Sequence, residues 1–431
     1  MGADTKITPG SVLTKMTSHR WYLAFILLLT LLVAYIDRVN VSVLVADPKF
    51  LVEMGIRGNP VAMGMLMSAF LFAYGIGNVF LSPLGDFLGP RKAMCLSLIL
   101  WSVALCIGGL ATSFATMIAA RIVLGVGEAL HWPMQSKYVK AWFPPRERGK
   151  ANSFWLFGLF SAPAIAMPLF TWVIKSQGWR PSFFILAVTG IVPLLLLWFF
   201  TGDHPRDVKY VSQSEIDYID AGLKTEQETE AVLGKASVSE NIKVFVRDYR
   251  FWLVTLFYAC NASVWWGSMA WLPSYLKVSR GFSWAQMGAW ASLPYVLATI
   301  CVVIFGWVTD KVGRRAPFSA ASMLGAAVFV YLGAHAPNNM AAAIYISLGI
   351  GSLGVGQPAN WSLLQQIVPA KAIGSGAGVM NGLGNGAAAF APIVIGWLIG
   401  VTGSYVGGLM YLVCLASLGF LAMLVLALQK Y

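Results

Sequence analysis

The sequence predicts an all-α membrane protein of twelve transmembrane helices, arranged as two pseudo-symmetric six-helix bundles. Three observations predict it. The 431 residues are 58% hydrophobic and only 11% charged, a balance far from that of soluble domains. Apolar segments recur from Trp21 to Leu428, which excludes a soluble enzyme held by one apolar anchor. Four separate segments of the first half return in the second half at a spacing of 224 or 225 residues, the mark of an internal repeat.

At about 20 residues per crossing, the first bundle takes spans 21–45, 62–84, 92–112, 114–140, 150–174 and 181–201. The second takes 250–275, 284–308, 317–335, 339–365, 373–398 and 404–428. Residues 1–20 are polar and the first apolar run is long enough to span, so no cleavable signal peptide is expected. The first span carries Asp37 and Arg38, and the fourth carries Arg121 and Glu128. A charge at the centre of a span costs at least about 2.5–3.5 kcal/mol, so such residues mark function. No span of the second half carries one. Residues 202–249 form the longest polar stretch, and Ser214-Glu-Ile-Asp-Tyr-Ile has the capped, amphipathic pattern of a helix start. This stretch is expected to be a cytoplasmic linker between an N-terminal bundle, 1–201, and a C-terminal bundle, 250–431.

The repeat is specific. Asp86-Phe-Leu-Gly-Pro-Arg-Lys and Asp310-Lys-Val-Gly-Arg-Arg stand 224 residues apart, as do Leu124-Gly-Val-Gly-Glu128 and Leu348-Gly-Ile-Gly-Ser352. Pro144, Gly149 and Trp172 return at 225 as Pro369, Gly374 and Trp397. At 224 Asp37 meets Asn261, Arg38 meets Ala262, Arg121 meets Tyr345 and Glu128 meets Ser352. Every membrane charge has a neutral counterpart, so one half handles charge and the other supplies neutral contacts. The small glycines are kept, as expected where helix backbones approach closely.

The net charge of +12 does not require nucleic acid. With both termini inside, the inner segments hold 22 of the 30 Lys and Arg, the outer loops hold six, and Arg38 and Arg121 are intramembrane. That bias orients the chain with both ends in the cytoplasm. The five cysteines lie in or near apolar segments and form no CxxC pair or disulfide framework. The histidines His19, His131, His204 and His335 make no HExxH or metal-ligand cluster, which argues against an intramembrane enzyme. No nucleotide-binding glycine loop is present, so ATP drive is unsupported. A channel or a non-transporting sensor would not need paired carboxylates in one half only.

At these residues the chain resembles the major facilitator superfamily. The loop motif Gly-x-x-x-Asp-Arg/Lys-x-Gly-Arg/Lys-Arg/Lys is nearly complete as Gly306-Trp-Val-Thr-Asp310-Lys-Val-Gly-Arg-Arg315. The first copy departs from it, with Ser82 for the leading glycine and Phe87 for the basic residue after Asp86. A narrower resemblance is to the anion:cation symporter branch, which includes bacterial sugar-acid/proton symporters, sialin and the vesicular glutamate transporters. It rests on Tyr35-Ile-Asp37-Arg38-Val-Asn40, Arg121-Ile-Val-Leu-Gly-Val-Gly-Glu128-Ala and Trp142-Phe-Pro-Pro-Arg-Glu-Arg148-Gly-Lys. The resemblance implies substrate contacts for Trp361, for Asn381 twenty residues later, and for Tyr74. His131 departs from the small residue usual after the helix 4 glutamate, and span 7 lacks the arginine of the glutamate members.

Arg121 and Glu128 are two turns apart and share one helix face, expected to line the central cavity. Asp37 and Arg38 point about 100° apart. Arg38 is expected to take a substrate carboxylate, since guanidinium stays charged and offers a bidentate fork. Arg121 would then hold Asp37 or Glu128 ionised, or the two arginines exchange roles. Asp37 and Glu128 are the proton-coupling candidates, caught between burial, which favours the neutral form, and guanidinium, which favours the ionised one. Tyr35 shares the face of Arg38. Gln357, Asn360 and Asn381 can bind hydroxyls, with Asn385 as a helix-joining group, and His131 can relay protons or meet substrate hydroxyls. Asp86, Arg91, Asp310 and Arg314 are expected gate residues.

The expected protein is a proton-coupled symporter of an organic anion, an aldonate or hexuronate, working by alternating access. It needs no metal and no cofactor besides H+, no nucleic acid and no partner subunit, and it sits in a bacterial inner membrane. The rival readings are an aromatic carboxylate, favoured by Trp132, Trp155, Trp265 and Trp266, and an exchanger or exporter of the same anions.

Overall fold

The computed structural model describes residues 16–233, 245–368 and 372–431. Twelve helical spans follow one another: α1 (His19–Leu44), α2 (Pro60–Leu88), α3 (Pro90–Gly109), α4 (Phe114–Trp142), α5 (Pro145–Gln177) and α6 (Arg180–Phe200), then α7 (Tyr249–Ser274), α8 (Trp284–Val312), α9 (Ala316–Ala334), α10 (Asn339–Ile367), α11 (Ser375–Thr402) and α12 (Tyr405–Leu428). Among the described residues, eleven helices are long and apolar enough to cross a membrane. The remaining span, α7, has 26 residues but carries buried Asn261, Ser263, Ser268 and Ser274. It can carry them because protein, not lipid, surrounds that stretch. The linker contributes a helix at Gln213–Leu233.

The repeat is written into the helix ends. Asn59 caps α2 and Ser283 caps α8, 224 residues apart; Ser113 caps α4 and Asn338 caps α10, 225 apart. Each side chain accepts a hydrogen bond from one of the first backbone N–H groups, which have no partner inside the helix. The stops repeat as well. Gly89 (φ +76°) and Gly313 (φ +72°) end α2 and α8, and Gly178 (φ +89°) and Gly403 (φ +64°) end α5 and α11. Only glycine takes that backbone region without strain.

Proline sets the breaks. α4 is interrupted at Leu130, α6 at Gly190 and α11 at Ala389–Phe390, each just before Pro133, Pro193 and Pro392. Proline lacks the N–H that would bond the preceding turn, and its ring crowds the carbonyl four residues back. The break in α4 falls two residues after Glu128.

The two bundles touch mainly on the face away from the linker. A Cβ at Gly64 would lie 2.3 Å from the Pro392 carbonyl oxygen, and one at Gly396 would lie 2.3 Å from the Pro60 oxygen. Glycine on each side thus lets α2 and α11 meet backbone to backbone. Gly288 of α8 packs against Pro168 and Thr171 of α5, and Phe72 meets Phe390 edge to face at 4.8 Å. Toward the linker face, a cavity of ≈ 690 Å³ opens beside Leu28, Lys150 and Phe157. The bundles are thus closed against each other on the face away from the linker, and the cavity on the linker face is lined by the first bundle.

The linker is tied to the first bundle. Arg20 Nη1 donates to Glu215 at 2.8 Å and Arg20 Nε to Glu147 at 2.9 Å, while Thr17 and the His19 amide also donate to Glu215. Burial pushes the Glu215 carboxyl up, but these donors outweigh it and hold it below its ordinary value. A carboxyl whose folded pKa is depressed stabilises above its unfolded pKa and loses that contribution as pH falls through the folded one. Hydrogen-exchange protection of Gln213–Leu233 is therefore expected to persist at neutral pH and to fall below about pH 4. Glu215→Gln should show low protection at both pH values.

Candidate functional site

The four membrane charges gather in one place inside the first bundle. Glu128 Oε2 accepts two hydrogen bonds from Arg38, from Nε at 2.9 Å and Nη2 at 2.6 Å. Glu128 Oε1 has no donor. Beside it lies Asp37, whose charged neighbours are Glu128, Arg121 and Arg38; no N–H or hydroxyl reaches either Asp37 oxygen. Arg121 donates from Nε to the Leu66 carbonyl at 3.1 Å, and both of its terminal nitrogens are unpartnered. All four residues are 3% exposed or less. Two cations thus face two carboxyls in a buried site, a neutral set when all are ionised.

Close helix packing builds the site. A Cβ at Gly125 would sit 2.5 Å from the Phe70 carbonyl oxygen, so glycine seats α4 directly against α2 and brings Glu128 toward α1. Aromatic rings then enclose Arg38. Its guanidinium carbon lies 4.2 Å from the Tyr35 ring centre, 4.7 Å from Tyr74, 5.0 Å from Phe70 and 5.6 Å from Trp266. Tyr35 stacks on Trp266 of α7 at 6.1 Å, so a ring from each bundle covers the charge cluster.

The second bundle supplies neutral groups. Tyr258 donates to Asn381 Oδ1 at 2.7 Å, and Asn385 Nδ2 reaches the same oxygen at 2.8 Å. Trp361 stands edge to face on Tyr258 at 5.8 Å. Gln357 donates to Asn261 at 2.8 Å, and Asn261 is the neutral counterpart of Asp37 in the repeat. Tyr258, one turn before Asn261, was not among the expected residues, and that spacing is the signal that would have found it. Phe70, which also faces Arg121 at 4.8 Å, gave no signal beyond being aromatic.

The other expected residues lie as follows. Of the alternatives left open for the two arginines, the structure has Arg38 on Glu128, while Arg121 bonds the Leu66 carbonyl of α2 and neighbours Asp37. The His131 ring lies edge to face on Trp101 of α3 at 6.3 Å, 2% exposed, with both nitrogens unpartnered and Arg38 as its charged neighbour. Asn360 is buried against Met380 at 3.8 Å. Arg91 ties α3 to α6 through its amide and Asp203 at 2.8 Å and through Trp198, and Arg314 bonds the Ala427 carbonyl at 2.8 Å. Both are links within one bundle here. The side chains of Asp86 and Asp310 lie outside the described residues.

The sequence pattern of the Major Facilitator Superfamily matches residues 26–392 and 285–429. A probable galactarate/D-glucarate transporter of Bacillus subtilis (strain 168) is 29% identical over 97% of this chain and 94% of its own length. The D-galactonate transporter of Escherichia coli O6:H1 is 27% identical over 95% of this chain and 96% of its own. The crystal structure of a bacterial homologue of the human lysosomal transporter Spinster matches with a TM-score of 0.78 over 97% of this chain and 99% of its own, at 18% identity. That identity speaks to the fold alone. The charged first bundle, the neutral second bundle and the match across nearly the whole length agree: the chain belongs to the Major Facilitator Superfamily and is a membrane transporter, not an enzyme.

Proposed function

We propose that this transporter is a proton-coupled symporter of an organic anion, a sugar acid, working by alternating access with its linker and both termini in the cytoplasm. The observation that carries the reading is the balanced set of two arginines and two carboxyls. With all four ionised the site is neutral and has no call for an anion. One proton on Asp37 or Glu128 leaves a net positive charge, which one carboxylate neutralises. Burying an unpaired charge is costly, so proton and anion favour each other's binding, and this reciprocity is coupling. A dianionic acid would take two protons by the same count. Protonation of Glu128 also frees the Arg38 fork, so the guanidinium holds either the glutamate or the substrate.

The neutral groups opposite support a hydroxylated acid. Asn381, Asn385, Gln357 and Tyr258 offer donors and acceptors, and Trp361 offers a face for a sugar chain. The similarity to transporters named for galactarate, D-glucarate and galactonate supports the same class. The rings around Arg38 favour an aromatic carboxylate as the second reading. Competition for uptake in proteoliposomes by aldonates, aldarates, hexuronates and aromatic acids decides between them: inhibition by hydroxylated acids is expected, and inhibition by aromatic acids alone overturns the sugar-acid class. Arg38→Lys should weaken the apparent affinity for the effective acid at least about tenfold, the loss of one charge-assisted hydrogen bond; retained affinity would contradict bidentate recognition.

A further inference from the structure

One face of α5 meets the second bundle at its middle and far end and borders a cavity toward the linker face. Residues 146, 150, 153, 157, 160, 164, 168 and 171 recur every three or four positions and share that face. At its far end Pro168 and Thr171 pack on Gly288 of α8. At its middle Phe160 lies edge to face on Trp265 of α7 at 5.9 Å, next to the Trp266 that covers Arg38. Toward the linker face the same stripe is uncovered. There Arg146, Lys150, Ser153, Phe154 and Phe157, with Leu28 of α1, line the open cavity of ≈ 690 Å³.

The lining contains two cations and no carboxylate. Arg146 and Lys150 are exposed. The acid between them, Glu147, bonds Arg20 and Tyr218, and Lys150 one turn on is among its charged neighbours. A cytoplasm-facing charge bias requires basic residues on this face of the membrane, but it does not require them on the stripe that continues to Phe160 and Thr171 at the second bundle. Their height also fits a path: Arg146 stands 14 residues before Phe160, about 21 Å along the helix.

We propose that Arg146 and Lys150 form a vestibular anion site on the linker face, a station for carboxylate between the solvent and Arg38. This assignment rests on the organic-anion reading. In so exposed a place the attraction is screened within about 10 Å at moderate salt. The site therefore raises the local concentration and arrival rate of anions rather than holding one tightly. The guanidinium takes a carboxylate through two N–H groups, the ammonium adds a point charge, and Phe154 and Phe157 border the path with apolar surface.

The test places a thiol in the cavity, Ser153→Cys in a background with the five native cysteines replaced. Its modification rate is measured with a sulfonate-bearing and with a trimethylammonium-bearing thiosulfonate reagent. The ratio of the two rates, anionic over cationic, is expected to be about tenfold or more. It should fall toward one in Arg146→Gln/Lys150→Gln or at high salt, and persist in Arg146→Lys/Lys150→Arg. A ratio near one with the native residues, or one unchanged by their neutralisation, overturns the proposal. Transport of labelled D-galactonate then separates the sources of the effect. The neutralised variant should raise KM from the linker face about tenfold, in vesicles of neutral lipid as well as anionic lipid, without the same rise from the opposite face. An equal change from both faces identifies a closure device, and an effect confined to anionic lipid identifies a headgroup seat; either overturns the site. A preserved reagent ratio with no carboxylate transported by the native protein leaves the vestibule standing and rejects the substrate reading instead.

Discussion

Glu128→Gln is expected to abolish proton-driven accumulation while leaving exchange of substrate across the membrane. The amide keeps an oxygen for the Arg38 fork, which now bonds Glu128 Oε2 through two nitrogens, but it cannot lose or gain the proton. The variant site is permanently one negative charge short, so an anion binds without waiting for protonation. A gradient of one pH unit supports about tenfold accumulation per coupled proton; in Glu128→Gln the ratio should fall to about one, with counterflow retained. Glu128→Ala is a different experiment, since it leaves Arg38 buried without its partner at a cost of about 3–5 kcal/mol. Normal concentrative uptake by Glu128→Gln would remove Glu128 from the coupling role and leave it as a packing ion pair.

Gly64→Leu is expected to hold the transporter open on the face away from the linker. The Gly64 Cβ position lies 2.3 Å from the Pro392 carbonyl oxygen, and the obstacle is backbone, so a side-chain rotation cannot relieve it. Overpacking of this kind costs about 1–3 kcal/mol, enough to shift a two-state equilibrium about 5–150-fold. Under the proposed alternating access the cost falls on the closed form, where α2 and α11 touch. Thr171, 3% exposed at the α5–α8 seam, reports the change. As Thr171→Cys, it should react at least about tenfold faster with a membrane-impermeant thiol reagent from that face when Gly64→Leu is present. Unchanged reactivity together with normal transport would show that the α2–α11 contact does not form during the cycle.

Much of this is legible in the sequence. The four charges, the repeat and the twelve spans follow from composition and spacing, because lipid penalises charge and dictates span length. The repeat reaches even the caps Asn59 and Ser283 and the glycine stops Gly89 and Gly313, which local backbone chemistry requires. What stayed hidden depends on how helices cross. Helical periodicity puts Arg121 and Glu128 on one face, but whether Glu128 meets Arg121 or Arg38, 90 residues away, is set by packing around Gly125. His131 shows the same limit: three residues past Glu128 it turns toward Trp101, beyond a helix break made by Pro133. Asn360 resembles a hydroxyl ligand in sequence, yet the pitch of α10 buries it against Met380.

The measurement that tests the central claim most directly is accumulation of a labelled sugar acid in proteoliposomes under an imposed pH gradient, with simultaneous recording of proton flux. The account predicts accumulation against the substrate gradient, proton movement in the same direction, and collapse of both by a protonophore. Saturable counterflow with no accumulation and no proton movement would contradict it, and would make the protein an exchanger in which the buried carboxyls serve packing alone.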